Sequence, residues 1–186
     1  IFQNATVGCF AFDELNVDVY GYAFVNKDLE YNPFKNITPK TPSRINILCA
    51  HGEFGVSSST NCPIEADDIR LSGFDYVAMG HIHAGSEVNK LDDTYYAYSG
   101  CLEGRDFGEC GYKGAILCEF EKDRCEIKAN FRRIRFCKRH YEIERENVSG
   151  AQSVSDVLPK VRDVITEKGY SRDALVRVVL EGDVSP

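Results

Sequence analysis

The chain has 186 residues, eight cysteines and a formal net charge of −7. Its length suits one domain or one domain with a small partner, and its 43% hydrophobic and 27% charged residues are typical of a soluble globular protein. The negative charge excludes nucleic-acid binding through the whole surface, and no apolar run is long enough to span a membrane, so no membrane partner is expected. The cysteines have irregular spacings and no Cys-x-x-Cys pair, which favours free thiols in a reducing cytoplasm.

The first half of the chain is predicted to form strands separated by loops. Alternating or continuous apolar residues predict strands over residues 7–12, 17–25, 45–50 and 75–79. The segment 27–44 contains three prolines and is typical of a loop. Residues 63–71 favour a short helix with Pro63 in its first turn and Gly73 just beyond its end.

The second half predicts a hairpin, a boundary and a helix followed by a strand. A short strand is expected over residues 95–98, and residues 113–121 and 124–135 favour an antiparallel hairpin around Lys122 and Asp123. Polar and charged residues at 137–150 indicate a domain boundary. Beyond it, apolar residues at helical spacing predict a helix that Asp156 caps, with Pro159 in the first turn and Gly169 as the stop. A strand over residues 174–180 follows.

Three of the four histidines lie just beyond predicted strands. His51 follows the strand over 45–50, and His81 and His83 follow the strand over 75–79. Side chains at i and i+2 of an extended segment point the same way, so His81 and His83 can face one cleft. A lone histidine is more often a packed core or loop residue. Three at strand ends favour a metal site, because neutral imidazole is the commonest protein ligand for divalent transition metals.

These residues carry a resemblance to a known family. His51-Gly52 after one strand and Gly80-His81-Ile82-His83 after another resemble the last two metal-binding motifs of the calcineurin-like metallophosphoesterases. The segments 72–83 and 98–114 are similar to the DNA-repair-exonuclease branch of that superfamily, which comprises the nuclease subunits of double-strand-break complexes and their bacterial relatives. The resemblance extends roughly over residues 1 to 135 and is strongest from Ile45 to Gly114.

The resemblance implies a fold and a cofactor. The expected fold class is α/β, with residues 1–138 as the second half of a metallophosphoesterase β-sandwich flanked by helices and residues 139–186 as the beginning of a small α+β capping or accessory domain. His51 and His81 would ligate one metal, and His83 would ligate a second one. The expected cofactors are two divalent ions, manganese by the family's usual preference, in a site that this chain fills only in part.

The remaining metal ligands of the family are expected upstream of this chain. The family's Asp-x-His, Gly-Asp and Gly-Asn-His-Asp blocks do not occur here, and no histidine precedes His51. The chain is therefore expected to be part of a longer cytoplasmic enzyme and to be inactive alone, with the catalytic histidine outside it. The resemblance implies DNA as the substrate of the longer protein. An ATPase partner subunit and dimer formation stay open.

Two basic features have alternative interpretations. Arg105, in the segment 103–109, either lies near a substrate phosphate or belongs to a structural loop tied by Glu109. The run from Arg132 to His140 either follows a phosphate backbone or is a solvated strand that leaves the domain. The sequence favours the second interpretation for this run and does not choose for Arg105.

Three functions compete on the sequence alone. The first is a metal-dependent phosphodiesterase of the DNA-exonuclease type, which this chain represents in part. The second is a phosphoesterase that acts on nucleotides, small molecules or phosphoproteins. The third is a non-catalytic binding module in which the histidines hold a residual metal. The glycine-rich segment 98–114 and the trailing accessory segment favour the first over the second.

Overall fold

A computed structural model describes residues 1–123 and 126–183, and their contacts divide the chain into two compact units. Unit 1 comprises Ile1–Gly100 and Ala115–Ile134, and unit 2 comprises Cys101–Gly114 and Arg135–Pro186. Strands dominate and only two α-helices occur in the described part, so the predicted α/β class is confirmed. The predicted boundary between residues 138 and 139 stays a prediction.

Unit 1 is built on a six-stranded sheet. The elements of this part of the chain are β1 (Gly8–Phe12), β2 (Val17–Gly21), β3 (Ile45–His51), β4 (Glu53–Phe54), β5 (Pro63–Ile64), α1 (Ala66–Arg70), β6 (Tyr76–Gly80), β7 (Asn89–Leu91), β8 (Thr94–Tyr98), β9 (Gly114–Asp123) and β10 (Glu126–Arg135). The strand order in the sheet is β1-β2-β3-β6-β8-β7. Strands β2, β3, β6 and β8 are parallel to one another, and β1 and β7 pair antiparallel at the two edges. A single 3-10 turn, Asp13–Leu15, joins the first two strands.

The core of unit 1 lies on one face of the parallel strands. Buried side chains alternate along β3, because successive residues point to opposite faces, whereas in β6 the neighbouring residues Tyr76 and Val77 are both buried. The segment 26–44 and the segment 52–74, which contains β4, β5 and α1, contribute apolar side chains to this core. The buried cluster comprises Tyr20, Tyr22, Leu29, Phe34, Leu48, Ala50, Cys62, Ile64, Ile69, Phe74, Val77 and Met79.

The strands β9 and β10 pair with each other and pack on the opposite face of the sheet. The ring of Phe131 lies 5.6 Å from that of Tyr76 and 5.1 Å from that of Tyr95, measured between centroids. Lys122 forms a buried ion pair with Asp75 at 2.7 Å. Both predicted hairpin strands are present, but the turn predicted around Lys122 and Asp123 is wrong, because β9 continues through Asp123. Arg124 and Cys125 lie outside the described residues.

Two predicted elements of unit 1 are shorter than expected. The helix predicted over 63–71 begins only at Ala66, because Pro63–Ile64 pairs with Glu53–Phe54 as β5. Glu65 precedes the helix, and its backbone N–H donates to the Asp68 carboxylate at 3.0 Å. The strand predicted over 17–25 ends at Gly21. The chain then leaves the sheet, since the Ala23 N–H donates to the carbonyl of Asn4 at 2.8 Å.

Unit 2 contains a parallel β-α-β arrangement. Its elements are β11 (His140–Asn147), α2 (Val154–Lys168) and β12 (Ala174–Glu181). β11 and β12 pair in register from His140 with Ala174 to Asn147 with Glu181. The strand β11 was not predicted, because its charged residues indicated a linker. The strand predicted over 174–180 and the stop at Gly169, whose φ is +60°, are confirmed; residues 184–186 lie outside the described part.

The predicted cap of α2 is wrong. The residue before the helix is Ser153, and Asp156 lies in the first turn, where its carboxylate accepts the backbone N–H groups of Gln152 and Ser153 at 2.9 and 3.0 Å. Pro159 consequently lies beyond the first turn, inside the helix. Within residues 1–123 and 126–183, no helix combines the length and apolar character that a membrane crossing requires.

Candidate metal centre

His51 and His81 meet at the carboxyl ends of two neighbouring parallel strands. β3 and β6 pair in register up to His51 and Gly80, so the chain delivers both histidines to the same sheet edge. The centroids of the two imidazole rings are 5.3 Å apart, with an interplanar angle of 77°. Metal–nitrogen bonds are about 2.0–2.1 Å long, so two rings this close can share one ion with small side-chain adjustments. The structure therefore brings together the two histidines that, by the family resemblance, would ligate one metal, and the ligation itself stays a prediction.

His81 has a backbone conformation that is unusual for a residue with a side chain. Its φ is +101°, in the region that favours glycine. Such strain persists only where the surrounding structure enforces it, and it is common at functional sites. The preceding Gly80 makes room at the same point, because a Cβ there would lie 3.2 Å from the His51 Nδ1 atom. The turn after β6 therefore places the His81 imidazole beside the His51 imidazole.

The electrostatics of His51 suit a metal ligand. Burial lowers the pKa of the His51 imidazole, and the neighbouring His81 and His83 lower it further when they carry charge. A lowered pKa keeps the ring neutral at neutral pH, and only the neutral ring has a lone pair to offer a metal. His83 follows two residues after His81 and its side chain is exposed. The adjacent imidazoles of His51 and His81 therefore offer two nitrogen donors of the kind that suits a divalent transition metal, and a ligand role for His83 stays a prediction.

Two tyrosine hydroxyls hold the backbone around His51. The Tyr22 hydroxyl donates to the His51 carbonyl at 2.8 Å and accepts the His51 N–H at 3.1 Å. The Tyr98 hydroxyl donates to the Gly52 carbonyl at 2.8 Å and accepts the N–H of Phe54 at 3.0 Å. Burial raises the pKa of both phenols, so each stays a donor over the physiological pH range. The turn that carries His51 is fixed on both sides.

Sequence reasoning missed these two tyrosines. Tyr22 lies 29 residues before His51, and Tyr98 lies 46 residues after Gly52. No spacing rule connects residues that far apart. The available signal is weaker: each tyrosine lies at or just beyond the end of a strand that is parallel to β3, so its hydroxyl reaches the same sheet edge.

A shallow depression of about 350 Å³ opens beside His51. The residues that line it are Tyr22, Cys49, Ala50, His51, Tyr76, Ala78, Met79, Gly80, Ala97 and Ser99. The small side chains leave His51 accessible from this side.

Arg105 lies in unit 2, in a loop that Glu109 closes. One Glu109 oxygen accepts the Arg105 backbone N–H at 2.9 Å, and the other lies 2.9 Å from the Arg105 Nη2. These bonds are what the interpretation as a structural loop tied by Glu109 requires. A contact between Arg105 and a substrate phosphate stays a prediction.

The basic run Arg132–His140 does not form a uniform charged stripe. Arg133 donates to the carbonyls of Ser86 and Ser99. In unit 2, Arg135 lies 3.4 Å above the centre of the Tyr112 ring, and Arg139 pairs with Glu103. His140 is buried and stacks on Tyr112 with 4.2 Å between ring centroids. The fourth histidine is thus a packed residue, and three arginines of the run have partners within the protein.

Comparison with known proteins agrees with the motifs at the superfamily level. No family model matches the chain. Over 167 residues the chain is 26% identical to an uncharacterized metallophosphoesterase of Bacillus subtilis (strain 168), YhaO. The match spans 88% of this chain and 40% of that relative's length. This likeness supports the metallophosphoesterase superfamily for the chain.

Proposed function

We propose that the chain contributes part of the active site of a metal-dependent phosphoester hydrolase. The observation that carries this proposal is the convergence of His51 and His81, with 5.3 Å between their ring centroids, at the carboxyl ends of adjacent parallel strands. Ligands commonly bind at that edge of α/β sheets. The similarity to a protein named as a metallophosphoesterase also supports metal-dependent phosphoester hydrolysis.

The finer proposal is phosphodiester hydrolysis in DNA, of the exonuclease type, with two manganese ions. It rests on the resemblance of segments 72–83 and 98–114 to the exonuclease branch. The chemistry that two bound divalent ions supply is neutralisation of the phosphate charge and activation of the attacking water. His51 and His81 would hold one ion with neutral nitrogens, and His83 would hold the second together with ligands from the remainder of the longer protein.

Metal binding by this chain is the direct test. Titration with manganese chloride, followed by paramagnetic broadening of the histidine ring resonances, should broaden His51, His81 and His83 before the buried His140. We expect weak binding of at most one ion, because three neutral nitrogens do not balance the charge of two dications. Equal broadening of all four histidines would contradict the site. Tight binding of two ions would contradict the proposal that further ligands lie elsewhere.

Activity should be tested in the longer protein. We expect it to hydrolyse bis(p-nitrophenyl) phosphate with manganese and to degrade DNA better than it cleaves p-nitrophenyl phosphate. Replacement of His51, His81 or His83 by alanine should each reduce the rate on the order of 100-fold, because small displacements at a reacting centre are that costly. His140→Gln is the control for loss of a histidine outside the site. Activity that survives all three alanine replacements would contradict the metal mechanism, and a preference for phosphomonoesters would contradict the exonuclease branch.

A further inference from the structure

Arg133 links two loops at the edge of the sheet where His81 and His83 lie. Its Nη1 donates to the Ser99 carbonyl at 3.1 Å, and its Nη2 donates to the Ser86 carbonyl at 2.5 Å. Ser86 lies three residues after His83, and Ser99 follows the end of β8. One planar guanidinium therefore binds both the segment that carries the candidate ligands and the neighbouring strand end. Because a guanidinium presents rigidly forked donors, it is suited to hold two carbonyls at once.

Two glycines provide the space that this arrangement needs. A Cβ at Gly85 would lie 2.2 Å from the Arg133 Nη1, so any larger residue at position 85 would displace the guanidinium. Gly100, whose φ is +78°, packs against the loop from the other side. A Cβ at Gly100 would lie 2.9 Å from the carbonyl oxygen of His83 and 2.8 Å from the Gly85 nitrogen. The backbone of His83 therefore lies directly against Gly100, the neighbour of Ser99, whose carbonyl Arg133 binds.

Ser86 is the other anchor of this loop. Its N–H donates to the Tyr98 carbonyl at 3.0 Å, and its hydroxyl oxygen accepts the Tyr98 N–H at 3.0 Å. The bond from Arg133 engages the remaining backbone polar group of Ser86, its carbonyl. The chain after His83 is thus fixed to β8 within three residues, and Arg133 closes the connection from β10.

We propose that Arg133 is a positioning residue that holds the loop after His83 against the end of β8 and thereby sets the metal affinity of the site. The metal part of this inference rests on the proposed function. In this proposal the guanidinium binds two backbone carbonyls. It does not bind a substrate phosphate, which was one interpretation of the basic run. Groups that orient metal ligands from outside the ligand set typically change metal affinity by about 10- to 100-fold when they are replaced.

Four variants of the full chain test this role. Arg133→Ala removes the guanidinium, and Gly85→Ala displaces it while its charge is kept. Both should weaken manganese binding by about 10-fold or more, measured by the same paramagnetic titration. Arg133→Lys should retain part of the affinity, and Arg132→Ala, the exposed neighbour, should match the wild type. Thermal unfolding midpoints that match the wild type would show that the loss of affinity is not a loss of fold.

A second readout needs no metal. Hydrogen exchange of the Ser86 amide in the metal-free chain should be faster in Arg133→Ala and Gly85→Ala and unchanged in Arg132→Ala. Unchanged exchange in the first two variants would overturn the positioning role, as would wild-type manganese affinity in both. Absence of manganese binding by the wild-type chain would overturn the proposed function, and the anchoring of the loop would then be decided by the exchange rates alone.

Discussion

At the scale of single residues, the backbone of His51 depends on the Tyr22 hydroxyl, which both donates to its carbonyl and accepts its N–H. Both groups would lose this partner if the hydroxyl were removed. Unsatisfied backbone groups in a partly buried site cost free energy and also loosen the turn. The position of the candidate ligand is therefore tied to a phenol that lies just beyond the end of a different strand.

Tyr22→Phe should lower the free energy of unfolding by about 1–3 kcal/mol, since two backbone groups lose their partner. It should also weaken manganese binding. Because the chain has no tryptophan, urea unfolding followed by circular dichroism is the suitable measurement. Tyr31→Phe, at a half-exposed tyrosine, is the matched control. Equal stability of the two variants would contradict the role given to Tyr22.

His81 offers a test of strain at the site. A left-handed backbone at a residue with a Cβ costs on the order of 1 kcal/mol or more, and glycine relieves this strain. His81→Gly should therefore be more stable than His81→Ala, although both lose the imidazole and with it the metal binding. The comparison isolates the effect of backbone strain on stability, because the two variants differ only by the Cβ atom. Equal free energies of unfolding would mean that φ of +101° is not strained in this turn.

At the scale of elements, the ion pair between Lys122 of β9 and Asp75 fixes the β9–β10 strands to the sheet. The Lys122 ammonium also donates to the Arg44 carbonyl at 2.7 Å, and the Asp75 carboxylate accepts the N–H of Asn46 at 2.7 Å. A charge that is buried in such a network is costly when its partner is removed. The attachment of β9 and β10 thus combines aromatic packing with one polar connection.

Asp75→Asn should lower the free energy of unfolding by about 3–5 kcal/mol, because Lys122 would stay buried without its countercharge. Lys122→Met should be less harmful, since the Asp75 carboxylate would keep the bond from Asn46. Urea unfolding of the two variants gives the comparison. If Lys122→Met proved the more harmful change, the unpaired Asp75 carboxylate would be costlier than the unpaired Lys122 ammonium, which would contradict this prediction.

Helix α2 provides a pH-dependent prediction. Backbone N–H groups of Gln152 and Ser153 and the Ser153 hydroxyl lower the pKa of Asp156 below its usual 3.8. A lowered pKa in the folded state means that the stabilisation is present above the unfolded value and is lost as the pH falls through the folded one. Asp156→Asn should therefore be less stable than the wild type at pH 7, with a difference that shrinks as the pH falls below 3.8 and vanishes only below the lowered pKa of the folded state. Thermal unfolding of the wild type and Asp156→Asn over this pH range is the measurement, and a stability difference that stays constant with pH would contradict the prediction.

The elements also show how far sequence patterns reach. The apolar runs of β3 and β6 and the alternation of β9 and β10 are local, so they were predictable. β11 was not predicted because Glu142, Glu144 and Glu146 alternate with apolar or basic residues, and this charged pattern indicated a linker. Its pairing with β12 is not local, so no local pattern indicated it. The cap of α2 was misplaced because both Ser153 and Asp156 are good capping residues, and only geometry shows which one precedes the helix. The histidines could be grouped in advance, whereas the roles of Tyr22, Tyr98 and Arg133 depend on tertiary contacts.

At the scale of the whole molecule, unit 1 ends in an exposed apolar edge. β1 is the outermost strand of the sheet, and Phe10 and Phe12 are each about half exposed, at 49% and 48%. Leu15, just beyond, is 69% exposed. Edge strands with apolar side chains are prone to pair with other chains. This edge is the part of unit 1 from which self-association is expected.

Sedimentation should detect that association at high protein concentration. Phe10→Lys with Phe12→Lys should shift the chain toward monomer, because charge on an edge strand opposes pairing. Leu71→Lys, at a 68% exposed position away from this edge, is the control. A wild-type chain that stays monomeric throughout would contradict the expectation.

The parallel arrangement of the sheet has a consequence for the order of folding. Neighbouring parallel strands pair residues that are distant in sequence, as Tyr20 with Leu48 and Leu48 with Val77 do. Contacts of this kind form slowly, since long loops must close before the strands gain anything from pairing. His51 and His81 meet only after β3 and β6 have found their register. A metal that needs both rings therefore has no preformed site in the unfolded chain, and its main kinetic effect is to slow unfolding rather than to speed folding.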